Sequence, residues 1–426
     1  MKQLLKEIIV EFYEAELPEA EEREIEVPVD SGKIISLIGP RRSGKSWLFF
    51  RIMKKLLDRG VAKENIVYLN FEDERLDFTQ SDLDLILRSY RELYPEISLK
   101  DCVFFFDEIQ NVTGWEKFIR RVYDNYSRHI YITGSNANLL SSEIATALRG
   151  RTVSFELLPL SFREYLNFQK TDFSKPHPKA VALINNAFDK YLFDGGFPEI
   201  MNVPESLKNR VFREYFDVMV YRDIIQRYGF TNLPVVKYFL KKLAANCCSY
   251  MSVHKTYKDL RSQGYKLDKN LLYQILDAGI NSYFAFGISK FSWSELKAEG
   301  SDKKMYFIDN GLLNRISYKF SSDYGTLLEN LVYAELRRRY HSVYYYKDKV
   351  ECDFIAKNEK EQLTAVQVSY DMSDDKTRKR EVRGLLTACK SLNLKEGYII
   401  TRDEKGECVE EGVKIILRPV IDFLLR

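Results

Sequence analysis

The feature that most constrains this chain is a glycine-bounded run that reads Gly39-Pro40-Arg41-Arg42-Ser43-Gly44-Lys45-Ser46. An apolar, strand-like segment precedes it at 34–38, and a helix-like segment follows it from Trp47. The two glycines allow backbone N–H groups to turn inward around a polyphosphate, and the N-terminus of the helix adds its dipole. At this spacing Lys45 reaches the β- and γ-phosphates, and the Ser46 hydroxyl is a ligand for Mg²⁺. Residues 39–47 are therefore predicted to bind a nucleoside triphosphate.

Short apolar runs alternate with helical periodicity through the first 165 residues. The runs predict strands at 34–38, 66–71, 103–106, 129–133 and 153–157, and the alternating segment 23–29 predicts an extra edge strand. Nearly continuous apolar strands separated by helices indicate a parallel sheet that is covered on both faces. The expected fold class is α/β, with a P-loop NTPase sheet followed by a helical region and a smaller α/β unit.

Polar residues follow the third and fourth predicted strands. The third strand ends in Asp107 and Glu108, and the fourth is followed by Ser135 and Asn136. Because ligands gather at the carboxyl ends of parallel strands, these side chains are expected to face the glycine run. Asp107 is predicted to hold Mg²⁺ through water, and Glu108 to polarise the attacking water. Either Ser135 or Asn136 could orient that water or contact the γ-phosphate, and a plain turn is the competing interpretation.

Two arginines, Arg149 and Arg151, lie just before the fifth predicted strand. Arginine is suited to stabilising charge on a transferring phosphoryl group, so either side chain could complete the site of a neighbouring subunit. A structural ion pair explains them equally well. A role in a neighbour's site would make the protein a homo-oligomer.

The 426 residues are too many for one ordinary core, so two to four domains are expected. The predicted boundaries are an ATPase domain at 1–165, a helical lid or linker at 166–235, a winged-helix-like domain at 236–315 and a final domain at 316–426. No apolar segment is long enough to span a membrane, and the N-terminus lacks a signal-peptide core. We therefore expect a cytoplasmic protein that has no membrane contact and whose six cysteines are free thiols.

Charge is distributed unevenly along the chain. Residues 201–350 contain 24 Lys and Arg against 15 Asp and Glu, whereas residues 1–150 contain 21 against 26. A basic middle beside an acidic nucleotide-binding region is typical of a nucleic-acid contact, which makes DNA the expected partner. A basic surface that binds nothing is the alternative.

The region 236–315 is predicted to form several short helices and then a β-hairpin, with Lys303 and Lys304 in its charged turn. Three helices and a hairpin are the outline of a winged helix, and 269–276 is the candidate recognition helix. Beyond Gly325 the pattern predicts a second α/β unit, with helices at 326–340 and 377–391 and strands at 343–346, 352–356, 364–369 and 397–401.

The combined motifs resemble the archaeal and bacterial AAA+-type ATPases that carry a C-terminal domain of uncharacterised function. The matching pieces are the glycine run 39–46, Asn-Phe-Glu-Asp at 70–73, Asp-Glu-Ile-Gln with Gly-Trp-Glu at 107–116, Thr-Gly-Ser at 133–135, Leu-Arg-Gly-Arg at 148–151, Pro-Leu-Ser-Phe-Arg-Glu-Tyr at 159–165 and Gly-Gly-Phe-Pro-Glu at 195–199. The resemblance spans almost the whole chain. It implies a P-loop ATPase, a winged-helix element and a restriction-endonuclease-like C-terminal fold.

A nuclease of that type needs an acid on a helix, an Asp on one strand and Glu-x-Lys on the next strand. Here Glu329 and Asp353 match the first two positions, but Gln367 and Ser369 occupy the last two. Gln367 is neutral, and Ser369 cannot supply an ammonium group. A nuclease scaffold without cleavage activity is therefore favoured.

The expected function is Mg²⁺-dependent ATP hydrolysis that is coupled to a C-terminal half contacting or remodelling DNA. Two alternatives remain open. One is a nucleotide-controlled switch that binds protein partners, and the other is a metal-dependent nuclease that is gated by ATP.

Overall fold

A computed structural model of the chain describes residues 1–136, 148–173, 177–316 and 323–426. The chain divides into two compact units, residues 1–158 and residues 159–426. The sheet of the first unit consists of β1 (Ile34–Ile38), β2 (Ile66–Asn70), β3 (Val103–Asp107), β4 (Ile130–Gly134) and β5 (Thr152–Glu156). All neighbouring strands are parallel, and their order is β2-β3-β4-β1-β5. The predicted α/β class and the five strand positions are confirmed.

Both faces of this sheet are covered by helices. Those in the described part of the first unit are α1 (Lys2–Glu14), α2 (Lys45–Asp58), α3 (Leu83–Leu93) and α4 (Trp115–Asn125). Phe104 and Phe106 lie in a core with side chains of α1, α3 and α4, whereas Phe105 lies in a second core with side chains of α2. Successive side chains of a strand point to opposite faces, so a strand that is covered on both sides is apolar throughout.

The predicted edge strand at 23–29 is wrong, because this segment pairs with no strand in the described part of the chain. The Tyr131 hydroxyl donates a 2.8 Å hydrogen bond to the carbonyl of Val29, and Pro28 has no N–H group to donate to a neighbouring strand. Ile25, Val27 and Val29 pack against the core that contains α2. The alternation therefore reflects the burial of every second side chain and not strand pairing.

The second unit begins with a helical region, as predicted. Its helices are α5 (Phe162–Phe168), α6 (Pro178–Asp194), α7 (Glu205–Val218), α8 (Leu233–Ala245), α9 (Val253–Ser262), α10 (Lys269–Asn281), α11 (Glu295–Glu299), α12 (Asn310–Ile316), α13 (Tyr324–Arg339), α14 (Asp375–Ser391) and α15 (Val420–Leu424), and a π-helix continues α7 at Met219–Gln226. None of the helices in the described ranges is long and apolar enough to cross a membrane. All six cysteines are free thiols.

Two sheets complete the second unit. Their strands are β6 (Ser249–Tyr250), β7 (Ala285–Ile288), β8 (Lys304–Phe307), β9 (Ser342–Lys347), β10 (Glu351–Lys357), β11 (Leu363–Val368), β12 (Glu396–Thr401), β13 (Gly406–Glu410) and β14 (Val413–Pro419). The small sheet has the order β6-β8-β7, and the large sheet has the order β13-β14-β12-β11-β10-β9. The smaller α/β unit is confirmed, and β13 and β14 extend it beyond the predicted strands.

The predicted hairpin is present as β7 and β8, which pair antiparallel. The prediction that Lys304 lies in the charged turn is wrong. Lys304 is the first residue of β8, is only 3% exposed and forms ion pairs with three carboxylates. These opposite charges are what make the burial of a lysine possible.

The Gly-Gly motif at 195–196 is held by a buried aspartate. The Asp309 carboxylate accepts hydrogen bonds from the backbone N–H groups of Gly196 (2.7 Å), Gly311 (2.8 Å) and Leu312 (3.1 Å). Burial raises the pKa of Asp309 to about 6, although these N–H groups oppose the shift. Gly195 has a φ of +74°, and a Cβ at this position would lie 2.1 Å from an Asp309 carboxylate oxygen.

We predict that Gly195→Ala lowers the free energy of unfolding of the C-terminal unit by roughly 2–5 kcal/mol, because it adds a clash with a fixed carboxylate to the strain of a positive φ. Gly229→Ala is the control, since Gly229 also has a positive φ, of +68°, but no atom of the described residues lies within 4 Å of an added Cβ. The control should cost about 1 kcal/mol. Urea denaturation measures both variants, and equal losses would show that the contact with Asp309 is unimportant.

Candidate functional site

The glycine run connects β1 to α2 and forms a tight loop. A Cβ on Gly39 would lie 2.1 Å from the carbonyl oxygen of Leu157, so only glycine fits there. Gly44 has a φ of +96° and is the N-cap residue of α2, and Arg42 also has a positive φ of 64°. The unpaired N–H groups of the first turn of α2 consequently lie beside the loop, as anion binding requires.

The Lys45 ammonium is buried beside Glu108. Its Nζ atom lies 3.2 Å from Glu108 Oε1 and donates hydrogen bonds to the carbonyls of Gly39 (3.1 Å) and Pro40 (3.0 Å). Burial alone would raise the pKa of Glu108, but Lys45, Gln110 and Arg41 reverse the effect and leave that pKa lowered. Glu108 is therefore held as a carboxylate next to the loop.

The backbone of Glu108 has the left-handed conformation, with a φ of 52° and a ψ of 42°. This conformation is uncommon for a residue other than glycine and marks a position that its surroundings hold in place. The Glu108 N–H donates a 2.8 Å hydrogen bond to Thr133 Oγ1, and the Thr133 hydroxyl donates to Asp107 Oδ1. Thr133 thus connects the two acids at the end of β3.

Asp107 is nearly fully buried and is surrounded by hydroxyl groups. It accepts hydrogen bonds from Thr133, from Ser46 and from Tyr68, whose hydroxyl lies 3.3 Å from Asp107 Oδ2. Burial and the charge of Glu108 raise the pKa of Asp107, so its ionised form needs a nearby cation. A carboxylate next to a serine hydroxyl offers the hard oxygen donors that Mg²⁺ prefers, so Asp107 and Ser46 fit a magnesium site.

Of the two residues after β4, Ser135 is the more enclosed. Its side chain is 1% exposed, and among the described residues its hydroxyl has no hydrogen-bond partner. The Ser43 hydroxyl in the loop is also buried without such a partner. Asn136 is half-buried. A buried hydroxyl without a partner is unfavourable unless another group satisfies it, which favours Ser135 over Asn136 as a residue that contacts substrate or water.

The remaining loop residues differ in their surroundings. Arg41 forms an ion pair with Glu72 of the Asn-Phe-Glu-Asp motif. Trp47 is 53% exposed on the first turn of α2, so its side chain is available to a ligand. Arg23 donates hydrogen bonds to the carbonyls of Ser43 (2.8 Å) and Leu158 (2.7 Å) and so supports the loop from outside.

The two candidate arginines lie at the end of the sheet where the parallel strands begin, whereas the loop lies at the end where the strands finish. The carbonyl of Arg151 accepts a hydrogen bond from the N–H of Ile34, the first residue of β1, whereas the loop follows the last residue of β1. Five strand residues span about 16 Å. The structure therefore does not bring Arg149 or Arg151 next to Lys45 in the same chain.

Arg151 and Arg149 have different environments. Arg151 forms an ion pair with Asp124, at 2.9 Å from Nε to Oδ1, and lies over the Tyr123 ring. Arg149 is exposed and has a positive φ of 51°. Arg151 thus matches the structural-ion-pair interpretation, while Arg149 remains available to a second molecule.

The four residues of the predicted nuclease site lie in or beside the large sheet of the second unit. Glu329 lies on α13 and Asp353 on β10, and both carboxylates contact Lys304. Burial and the charge of Asp353 raise the pKa of Glu329 to about 7.

Gln367 and Ser369 form their hydrogen bonds with groups other than the Lys304 ammonium. The amide oxygen of Gln367 accepts from the N–H of Asp353 (3.1 Å), and its amide nitrogen donates to Glu381 (2.6 Å). The Ser369 hydroxyl donates to the carbonyl of Asp371. Within the described ranges, no group of three His, Cys, Asp or Glu side chains is arranged to hold a metal ion.

Thr133 and Lys304 are the residues that sequence reasoning missed. Thr133 belongs to the Thr-Gly-Ser motif, but its two hydrogen bonds depend on β3 and β4 being neighbours, which the sequence does not specify. Lys304 looks like an ordinary turn lysine, and only its three distant carboxylates distinguish it.

Known protein families match most of the length of the chain. A family model described as an AAA domain matches residues 31–166, and two domains of unknown function, DUF8612 and DUF4143, match residues 185–323 and 324–419. An uncharacterized protein of Methanocaldococcus jannaschii is 34% identical over 417 residues, which cover 95% of this chain and 90% of that protein. An uncharacterized protein of Haemophilus influenzae is 32% identical over 401 residues, which cover 92% of this chain and 94% of that protein.

Among solved structures, the Walker-type ATPase PABY2304 of Pyrococcus abyssi has a TM-score of 0.42 and 14% identity, covering 74% of this chain and 95% of that structure. The extent and identity of the archaeal and bacterial matches establish a common family. The chain therefore belongs to the family represented by these two uncharacterized proteins, with an AAA domain of the P-loop ATPase type followed by a C-terminal half of unknown function.

Proposed function

We propose that the first unit hydrolyses ATP with Mg²⁺ and that its nucleotide state controls a C-terminal half that contacts DNA. The observation that carries the first part is the buried Lys45–Glu108 ion pair, which lies between a glycine loop at a helix N-terminus and the Asp107–Ser46 pair. The four predicted domains, at 1–165, 166–235, 236–315 and 316–426, are part of this proposal. The AAA-domain match to residues 31–166 supports the first boundary.

In this mechanism, substrate binding releases the catalytic base. Lys45 exchanges the Glu108 carboxylate and two loop carbonyls for oxygens of the β- and γ-phosphates. Glu108, which remains ionised, then accepts a hydrogen bond from the attacking water and polarises it. Asp107 and Ser46 would hold Mg²⁺, and the bound ion would supply positive charge that stabilises the phosphate oxygens. Thr133 keeps both acids in position, and the Ser135 hydroxyl orients the water or the γ-phosphate.

Substitution of the two buried charges tests this assignment. Lys45→Ala should abolish ATP binding, because it removes the phosphate ligand and leaves Glu108 without its partner. Glu108→Gln should retain ATP binding but lower kcat by roughly 10²- to 10⁴-fold, the usual contribution of a positioned base. Steady-state phosphate release and fluorescent-nucleotide titration measure the two effects.

The matched controls are Lys54→Ala, an exposed lysine on α2, and Glu116→Gln on α4, both of which should hydrolyse ATP at the parent rate. Parent-like turnover by Glu108→Gln would show that another residue acts as the base.

We further propose that Arg149 completes the site of a neighbouring subunit and that Arg151 is structural. Arg149 is exposed, whereas Arg151 pairs with Asp124. Both arginines lie at the N-terminal ends of the strands, away from the loop of their own chain. An arginine on the neighbour makes hydrolysis depend on assembly, because it stabilises charge on the transferring phosphoryl group.

Arg149→Ala should lower kcat by roughly 10³-fold while leaving ATP affinity nearly unchanged, whereas Arg151→Ala should mainly reduce thermal stability. Mixing the inactive Arg149→Ala and Lys45→Ala chains should restore part of the activity, since one supplies an intact loop and the other an intact arginine. Particle mass with and without ATP shows whether a neighbour is present. Mixtures that stay inactive although mixed oligomers form would contradict the trans role.

The proposed DNA contact is supported by the basic segment 201–350 and by the exposed face of α10. That face presents Asn270, Tyr273 and Gln274, while Leu272 and Ile275 are buried. Amide side chains of this kind can read base edges in a major groove. Part of the positive charge of segment 201–350 is neutralised within the second unit. Lys208 and Arg315 pair with Asp194, and Arg338 pairs with Glu335.

Gln274→Ala should weaken duplex DNA binding by roughly 5- to 150-fold, the range for loss of one base contact, without changing the dependence of affinity on salt. Gln263→Ala is the matched control, since Gln263 is exposed at the end of α9. Anisotropy titrations at two salt concentrations, together with ATPase rates with and without duplex, make the measurement. DNA that neither binds nor alters turnover would favour the protein-binding switch.

A further inference from the structure

The most unusual group outside the loop site is the Lys304 ammonium, which lies among three carboxylates. Its Nζ atom is 2.8 Å from Glu329 Oε1, 2.9 Å from Glu351 Oε1 and 3.0 Å from Asp353 Oδ1. Its side chain is 4% exposed. We call Lys304, Glu329, Glu351 and Asp353 the ammonium cluster.

The carboxylates of the ammonium cluster are themselves oriented by other donors. The Tyr306 hydroxyl donates to Glu329 (2.7 Å), and the Tyr250 hydroxyl donates to Glu351 (2.6 Å). The Val368 N–H donates to the second oxygen of Asp353 (3.0 Å). Each acid is therefore fixed so that one of its oxygens meets the ammonium group.

The ammonium group keeps its charge in this site. Burial alone would lower the pKa of Lys304, but Asp353, Glu329 and Glu351 raise it well above its usual value. The same ammonium helps to lower the pKa of Glu351 against the effect of burial. The single ammonium group thus offsets part of the negative charge of the three acids and lowers the cost of burying them together.

Three acids that converge on one point normally require a cation. Glu351 and Asp353 are two residues apart on β10 and so share a face, and Glu329 joins them from α13. A divalent ion would need carboxylate oxygens at about 2.0–2.6 Å. Here the oxygens stand at 2.8–3.0 Å around nitrogen, which is the spacing of charge-assisted hydrogen bonds. An ammonium group and a metal ion cannot occupy this point together.

We infer that Lys304 is the resident cation of the ammonium cluster and that it takes the place of a divalent metal ion in the C-terminal unit. Lys304 comes from β8, so this internal ion also joins the small sheet to β10 and α13. It excludes the metal on which phosphodiester hydrolysis by these carboxylates would depend. The inference concerns only the second unit and does not depend on ATP hydrolysis.

Lys304→Met tests this inference, because methionine keeps the length of the side chain without its charge. The probe is Tb³⁺, since Tyr250 and Tyr306 contact the carboxylates and can sensitise its emission. Nucleotide-free Lys304→Met should gain Tb³⁺ emission that disappears in Lys304→Met/Asp353→Asn. The melting temperature of Lys304→Met should be lower than that of the unsubstituted chain. Mg²⁺ should restore it, because an ion that binds only the folded state stabilises that state.

Lys303→Met is the matched control, since Lys303 is the exposed neighbour of Lys304, and it should show neither effect. A folded Lys304→Met chain that binds no Tb³⁺ and gains no stability from Mg²⁺ would overturn the inference. The unsubstituted chain gives a second test that needs no Lys304 variant to fold. Its Tb³⁺ emission should be the same with and without Asp353→Asn, and emission that this substitution removes would also overturn the inference.

Discussion

The buried ion pair between Lys45 and Glu108 is the interaction on which the N-terminal site depends. Neither charge could be buried alone at low cost, so each fixes the other beside the loop. The pair also lets Glu108 keep its left-handed backbone, since Thr133 holds its N–H group and Lys45 holds its carboxylate. In the proposed mechanism, a phosphate that attracts Lys45 therefore releases Glu108 at the same time, so that binding and activation of the base are one event.

The second unit contains another buried lysine, but its partners are different. Lys45 has one carboxylate and two neutral carbonyls, which a highly charged phosphate can replace. Lys304 has three carboxylates that are oriented by further donors, so no ordinary ligand offers it a better environment. The surroundings of Lys45 thus allow it to exchange its partners for phosphate, whereas those of Lys304 favour its present partners. This contrast follows from the number of charges around each nitrogen.

The sequence predicts most of the first sheet because burial on both faces leaves a direct signal, as in Phe104-Phe105-Phe106. It fails at 23–29, where side chains such as Tyr131 take the carbonyls that a strand would share. The site residues that follow each strand are predictable because parallel strands end at a common edge. The surroundings of Lys304 cannot be predicted in this way, since its carboxylates lie 25 to 49 positions later in the sequence and come close to it only in the folded unit.

The positions of Arg149 and Arg151 constrain any assembly that uses them. Both lie at the N-terminal ends of the strands, whereas the loop and the two acids lie at the C-terminal ends of the strands. In a two-fold symmetric dimer residue i contacts residue j and residue j contacts residue i, so two antiparallel subunits would bring each Arg149 to the other subunit's Glu108. A head-to-tail contact would bring them together in one direction only, and it closes into a ring or continues as a filament. A dimer or a closed ring would therefore complete every site, whereas a filament would leave one site at its end without an arginine.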